Sequence, residues 1–238
     1  MDTPLHRKLS SAVSLTDEDV IVVDRLLSTT QVAPAGATLI PEGHVGGEAY
    51  VLLAGWAYRF RMFEDGRRQI SRLLLPGDFI GLNASYLGMP EQSIVALTDV
   101  QLAKIDAKLL MEHFRQSPRL SLAFLWSDTR DRFITEERVA SIGRRSAYER
   151  LAHVFLELYL RLELIGEAAE DVYSLPLTQE HLADLLGLTS IHVNRVLHRL
   201  KNDGLIAMEA RTIRLLSREK LMRVSDFDPR YLMHRSPK

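Results

Sequence analysis

The sequence predicts an α+β chain of two domains: a strand-rich N-terminal domain, one long helix, and a C-terminal domain in which two short helices flank a glycine turn. Three observations carry this expectation. Short apolar runs broken by Gly and Pro fill residues 31–105. From about residue 107 the pattern turns helical and stays so. Beyond residue 177, Thr178, Gly187, Thr189 and Gly204 stand at the spacing of helix caps and stops. The 238 residues suit two modest domains, and we place their boundary at 144/145, giving 1–144 and 145–238.

Composition narrows the function classes. Hydrophobic residues are 46% and charged residues 26%, the mix of a globular protein. Thirty Lys and Arg against 31 Asp and Glu give a net charge of −1, which taken alone argues against a nucleic-acid partner. There is no cysteine, so disulfides, thiolate nucleophiles, cysteine-held zinc and the usual iron–sulfur clusters are excluded. No apolar run reaches the roughly 18 residues of a membrane helix, and Met1–Lys8 lacks the apolar core of a signal peptide. The expected location is the cytoplasm, with no membrane partner.

In chain order, Leu15–Leu27 reads as a short helix capped by Thr16, with Asp17, Glu18 and Asp19 where the helix dipole favours negative charge. Turn signals follow at Pro34-Ala35-Gly36, Pro41-Glu42-Gly43, Gly46-Gly47, Gly55, Pro76-Gly77, Gly81 and Gly88. Trp56–Met62 alternates large apolar residues with small or charged ones, the pattern of a half-buried strand. Glu64-Asp65-Gly66-Arg67 turns it into a return strand over Ile70–Leu75. Repeated short strands of this kind suggest a barrel or sandwich.

Ala107–Arg115 is a short helix, and Pro118 fits the start of a long one spanning about 117–144. On it Leu122, Trp126, Thr129, Phe133 and Ala140 form one stripe; Leu125, Val139 and Ile142 form a second. Apolar residues on two faces call for two packing partners: elements within one domain, or the helix's own domain on one side and a twin subunit on the other. Arg132 and Glu136 interrupt the stripes and make a poor continuous coiled coil. Gly143-Arg144-Arg145 is a candidate hinge. Ser146 and Glu149 make a capping box for a further helix with Leu151, Val154, Phe155, Leu158 and Leu162 on one face. The tail from Pro229 to Lys238 is expected to fray.

The richest segment is Leu177–Ile206. Thr178 caps a helix over Gln179–Leu186, Gly187 sits where a left-handed turn is needed, and Thr189 caps a second helix from Ser190 to about Asn202. Leu205–Ala207 and Thr212–Leu216 then read as a two-stranded wing around Glu209-Ala210-Arg211. Two short helices about a glycine turn form the unit that lays its second helix in the major groove of DNA. Its outward residues are Ser190, Ile191, His192, Asn194, Arg195, His198 and Arg199. Arg195 can pair with guanine, Asn194 with adenine, and Ile191 can touch a thymine methyl. Thr178, Gln179, Thr189, Lys201 and Arg211, with Arg214, complete the DNA-facing set, the cations for phosphates. The charge split agrees: residues 174–238 carry 11 Lys and Arg against 7 Asp and Glu, net +4, leaving −5 on residues 1–173.

In this order the elements resemble the Crp/Fnr superfamily of bacterial transcription regulators over about residues 20–225. The resemblance rests on Pro34–Gly43, Tyr50–Gly55, Leu75–Gly81, Arg150-Leu151-Ala152 and Leu182–Thr189. It implies a cyclic-nucleotide-binding-like β-roll, a long dimerisation helix and a winged helix-turn-helix. It also implies a homodimer on a palindromic operator, and RNA polymerase as a partner. Members that bind cyclic AMP carry a glutamate after the glycine matched by Gly81, then an Arg beside a Ser or Thr. Here those places hold Leu82, followed by Asn83, and Gln92 beside Ser93. A neutral amide cannot supply the charged fork an anionic phosphate wants. Thr135 matches a residue that contacts adenine in those relatives. Gly81, Leu82, Asn83, Gln92, Ser93 and Thr135 are therefore the candidate effector pocket, for which cyclic AMP is not the expected ligand. The oxygen-sensing branch needs cysteines and is excluded. Haem is not expected, since His6, His44 and His113 stand isolated. The roll is either vestigial or rebuilt for another small molecule, and no cofactor or metal is assigned. The Leu75–Ala84 stretch is closer to the Fnr and FixK style. The family usually places Glu near Ile191 or His192, so its usual half-site is not expected to transfer.

No Gly-rich phosphate loop, Gly-x-Ser-x-Gly or His-Glu-x-x-His is present, so an enzyme is not expected. A ligand-binding module acting on a protein partner is the alternative, and the C-terminal helix pair argues against it.

Overall fold

A computed structural model describes residues 2–45, 47–89 and 91–233, without the side chains of 86, 107 and 108. Gly46 of the expected turn and the tail beyond 233 lie outside the described residues. The chain divides into two compact units between Thr129 and Arg130, and each is described by itself.

The first unit opens with α1 (Pro4–Ser10) and α2 (Asp17–Leu26). Thr16 caps α2 as expected, and a reciprocal bond from its own backbone N–H to Asp19 completes a capping box. Eight strands follow: β1 (Thr30–Ala33), β2 (Thr38–Ile40), β3 (Ala49–Ala54), β4 (Ala57–Met62), β5 (Arg68–Leu74), β6 (Phe79–Ile80), then, after the short helix α3 (Leu82–Leu87), β7 (Ser93–Ala96) and β8 (Val100–Ile105). They form two antiparallel sheets, ordered β1-β8-β3-β6 and β2-β7-β4-β5. β3 shows why both of its faces are apolar. Tyr50 and Leu52 point into the roll with Ile40, Leu74, Ile80 and Ile94. Ala49 and Val51 point the other way, against Leu5 and Leu9 of α1, Val23 and Leu26 of α2, and Leu110, Leu120 and Phe124 of α4 (Ala107–Gln116) and α5 (Pro118–Arg144). Side chains two apart on a strand share a face, so alternate residues feed two cores.

α1 was not anticipated. A lysine on a helix of seven residues reads as solvent-facing, yet Lys8 is only 1% exposed. Its ammonium donates to Asp78 at 2.7 Å, and Arg72 approaches the other carboxylate oxygen at 3.3 Å. The same carboxylate accepts from the Leu75 N–H at 3.0 Å, closing the Pro76-Gly77 turn. Gly77 is held at φ +87°, and a side chain there would press on the Pro4 carbonyl. One buried carboxylate thus fastens α1 to the roll.

β4 differs from expectation. Burial along it is graded, not alternating: Ala57 and Tyr58 are buried, Arg59 and Phe60 half-buried, Arg61 and Met62 exposed. The hairpin leaves its sheet toward the turn, which closes as predicted with the Phe63 N–H donating to the Arg67 carbonyl at 2.9 Å.

α5 belongs to both units. Its inward residues are Leu120, Ala123, Phe124, Ser127, Arg130, Ile134, Arg138 and Ser141. The residues assigned to two stripes instead share the outward side: Leu122, Leu125, Phe133, Val139 and Ala140 are exposed, and Trp126, Thr129 and Ile142 half-buried. Four polar residues on the inward face concealed it from a hydrophobicity pattern.

The second unit adds α6 (Ala147–Ile165), β9 (Ala168–Ala169), β10 (Val172–Ser174), α7 (Gln179–Leu186), α8 (Ser190–Asn202), β11 (Ile206–Glu209), β12 (Thr212–Leu215), α9 (Arg218–Ser225) and a 3-10 turn over Pro229–Tyr231. Ser146 and Glu149 cap α6 as predicted. The expected single apolar face of α6 is too narrow: every residue from Leu151 to Tyr159 is buried. Among them is Glu157, whose carboxylate lies 3.1 Å from Arg138 of α5 and 3.3 Å from Arg161. Burial pushes this carboxyl up, but the two guanidinium groups outweigh it and hold it below its ordinary value. This knot draws residues 130–144 into the second unit, and so the contact division falls inside α5 and not at the expected 144/145. The candidate hinge is braced as well. Gly143 lies within α5, and Arg145 bonds Glu137 at 2.6 Å and the carbonyls of Ser225 and Asp226 at 2.8 and 3.1 Å. The expected fraying does not hold for the described part of the tail: Leu232 is buried and Tyr231 stacks on His153. Among the described residues no helix is long and apolar enough to cross a membrane.

Two stability predictions follow from these buried charges. Asp78→Ala leaves Lys8 and Arg72 buried without their counter-charge, and should cost about 3–5 kcal/mol in urea unfolding. His153 is 1% exposed, and burial holds its pKa down to about 4 against 6.5 for a free imidazole. It is neutral at pH 7, so its 3.2 Å approach to Glu137 is not an ion pair there. Between those values the unfolded chain binds a proton that the folded chain refuses, so stability falls as pH drops from about 6.5 toward 4. His153→Gln should flatten that limb of a plot of thermal midpoint against pH.

Candidate nucleic-acid interface

α7 starts where Thr178 turns the chain: its hydroxyl accepts from the His181 N–H at 3.2 Å, and the His181 ring returns a contact to the Thr178 N–H. Leu182, Ala183, Leu185 and Leu186 bury its inner face. Gly187 then takes φ +65°. A Cβ there would meet nothing closer than 3.9 Å, so the backbone conformation, not space, asks for glycine. Thr189 caps α8 through the His192 N–H at 3.2 Å. Val193, Val196, Leu197 and Leu200 hold α8 on its core.

These anchors leave Ser190, Ile191, His192, Arg195, His198, Arg199 and Lys201 exposed, with Asn194 half-buried beside Arg195. Ile191 is 75% exposed, a large apolar side chain offered to solvent at the start of the helix. Among the described residues Arg195 has no side-chain partner. Arg199 is different. Its guanidinium lies 4.4 Å over the Tyr148 ring and 3.7 Å from Asp203, and the Tyr148 hydroxyl donates to Asp203 at 2.5 Å. Burial, then that bond, pushes the Tyr148 hydroxyl up to about 12. Arg199 therefore braces the end of α8 against α6, a role that the sequence pattern did not separate from base reading. Thr178, Gln179, Thr189 and Arg211 are exposed at the helix starts and wing turn.

The wing is larger than expected. β11 and β12 pair with Ala207 opposite Arg214, and β10 and β9 extend them into a sheet ordered β11-β12-β10-β9. The β9–β10 pair escaped prediction because its two-residue turn is Glu170-Asp171, at φ +50° and +63°, where a tight hairpin usually announces itself with glycine. Arg214 reaches back to the Glu170 carbonyl at 3.4 Å.

The candidate effector residues fall into two groups. Gly81, at φ +71°, begins α3, and a side chain on it would meet the Glu48 carbonyl at 2.8 Å. Leu82 packs into the core beneath the helices, and Asn83 is exposed. The Gln92 carbonyl accepts from the Ser71 hydroxyl at 2.8 Å, and the neighbouring Glu91 carboxylate lies 3.1 Å from Arg59. Ser93 is half-buried on β7, opposite Phe60. Thr135 belongs to the second unit, exposed, its hydroxyl donating to the Asp131 carbonyl. Of the N-terminal histidines, His6 is buried and contacts Thr3, while His44 and His113 are half-buried.

Comparison with known proteins follows the same division. A cyclic nucleotide-binding domain model matches residues 30–117, and a Crp-like helix-turn-helix domain model matches 149–224. The transcriptional activator protein FnrL of Cereibacter sphaeroides is 31% identical over 180 residues, covering 74% of this chain and 72% of that protein. The nitrogen fixation regulation protein FixK of Bradyrhizobium diazoefficiens is 33% identical over 175 residues, covering 73% and 72%. The structure of FixK2 from Bradyrhizobium japonicum matches with a TM-score of 0.73 at 25% identity, over 82% of this chain and 96% of that one.

Proposed function

The chain belongs to the Crp/Fnr family of transcription regulators and carries that family's helix-turn-helix DNA-binding domain; from this premise we propose that it binds a two-fold operator as a homodimer, without cyclic AMP. Its relatives are regulators and not enzymes, and the reading follows them. The observation that carries it is the outer face of α8, where Ile191, His192, Asn194 and Arg195 stand together on the first turns with Arg195 unengaged among the described residues. Each subunit places one such helix in a major groove, with half-sites one helical turn apart. Arg195 reads guanine, Asn194 adenine, and Ile191 packs on a thymine methyl where relatives offer a carboxylate to cytosine. Lys201, Arg211 and the helix starts at Gln179 and Ser190 hold phosphates. The subunits join along α5, whose exposed Leu122, Leu125, Phe133 and Val139 supply an apolar face. At its promoters the dimer works in the cytoplasm with RNA polymerase.

Independence from cyclic AMP rests on the side chains at the candidate effector site. Gln92 is engaged by Ser71, and Glu91, a carboxylate, already pairs with Arg59. A cyclic phosphate entering there finds an occupied amide and a negative neighbour, with the Arg59 guanidinium already paired. Neither haem nor an iron–sulfur cluster is part of this reading. Any effector would be a small molecule of another class.

Arg195→Ala should weaken specific binding by about 1–3 kcal/mol while binding to scrambled duplex changes little. Competition titrations on a selected operator measure this, and equal affinity of variant and wild type would show that Arg195 does not read a base. Calorimetric titration with cyclic AMP should give no binding; a micromolar dissociation constant overturns the effector part.

A further inference from the structure

We propose that Arg150 is the residue that fixes the spacing between the two half-sites, by fastening the end of α5 to the turn of the helix-turn-helix. The proposal rests on the homodimer reading above and assigns the part of the molecule that sets its operator geometry.

The geometry is confined to the second unit. A helix leaves its last carbonyls without intrahelical partners. α5 ends at Arg144 and α7 at Leu186. Arg150, on the first turn of α6, donates to carbonyls at both ends: Nη2 to Ile142 at 2.7 Å, Nε to Arg145 at 2.8 Å, and Nη1 to Leu186 at 2.9 Å. Leu186 directly precedes Gly187, the turn from which α8 departs. At that turn Ile142 lies within van der Waals reach of a Cβ placed on Gly187. One planar, permanently charged fork therefore links three carbonyls from two helix ends. The bonds are charge-assisted and directional, so they hold an angle as well as a distance. Arg145 adds a separate tie, from α5 to the carbonyls that end α9.

This placement has a specific consequence. If the subunits meet along α5, the position of each α8 is set by how firmly α7 is held to the end of α5. A residue that merely stabilised the domain would weaken binding to every operator alike. A residue that sets spacing would change which spacer lengths are accepted.

The test uses the full-length protein and its selected operator, with the spacer shortened or lengthened by one and two base pairs; each step moves a half-site by about 3.4 Å and turns it by about 35°. Wild type should discriminate against each altered spacer by roughly tenfold or more. Arg150→Ala should keep the dimer in sedimentation and the same half-site base preference, with spacer discrimination falling to within about threefold. Arg150→Lys keeps the charge but not the fork and should behave like the alanine variant; it also supplies the reading should Arg150→Ala fail to fold. Arg145→Ala leaves all three Arg150 bonds in place and should retain wild-type discrimination. Unchanged discrimination in folded Arg150→Lys, or equal loss in Arg145→Ala, overturns the assignment. A monomeric wild type, or one that selects no two-fold operator, would instead overturn the homodimer reading itself.

Discussion

The second unit is organised around a carboxylate buried away from solvent. Glu157 is 1% exposed in the middle of α6, and an isolated charge there would be strongly destabilising. It persists because Arg138 comes from α5 and Arg161 from one turn further along α6. Much of the unit follows from meeting that demand. The last turns of the long helix must lie against α6. The imidazole of His153 stays neutral because it is buried, with Arg138 and Arg145 nearby adding to the effect. Tyr231 closes the site with its hydroxyl 3.5 Å from the same carboxylate. The first unit meets the same constraint with other residues: Asp78 is shared by Lys8 and Arg72. In both, a helix is attached by a cation whose loss removes one of the two charges facing a buried anion. Such pairs add little net stability compared with apolar packing, but removing one partner is costly because the other charge stays buried.

The local parts of this fold were legible in the sequence. Thr16, Ser146, Thr178 and Thr189 each cap the helix they announce, and the Asp65-Gly66 turn closes where its residues say it should. These features depend on side chains within four residues of the backbone they serve. What escaped depends on distant partners. α1 is too short to show periodicity and is held by a residue 70 positions away. The inward face of α5 contains Arg130 and Arg138, so a search for apolar residues found the opposite face. The β9–β10 hairpin turns without glycine. The hinge suggested by Gly143 is a helical residue, and Arg145 and Arg150 bond carbonyls around the junction; no pattern in the sequence says where a guanidinium will reach.

The exposed face of α8 was legible almost entirely from its outward positions, because caps fix a helix's ends and burial fixes its phase. Arg199 is the exception. Its exposure is that of a reader, but the Tyr148 ring and Asp203 occupy it. The only sequence signal was Asp203 at i+4, which reads equally as a solvated surface pair. For the candidate effector residues the sequence showed Leu82 and Gln92 but not the contacts that Gln92 and its neighbour Glu91 make. Ser71 and Arg59 come from the β4–β5 hairpin, which lies beside β7 in the same sheet, and no local pattern in the sequence says that they meet Gln92 and Glu91.

The partnership of Arg138 with Glu157 also bears on how the molecule can be taken apart. The visible seam in the sequence is the capping box at Ser146, and an excised DNA-binding fragment would naturally begin there. Such a fragment would discard the Arg138 guanidinium and leave the buried carboxylate with one of its two guanidinium partners, Arg161. A fragment that keeps this pair and the rest of the second unit starts near residue 130 and carries about half of the long helix with it. A chimera that grafts this reading head onto another sensor must be spliced within that helix, not at its end.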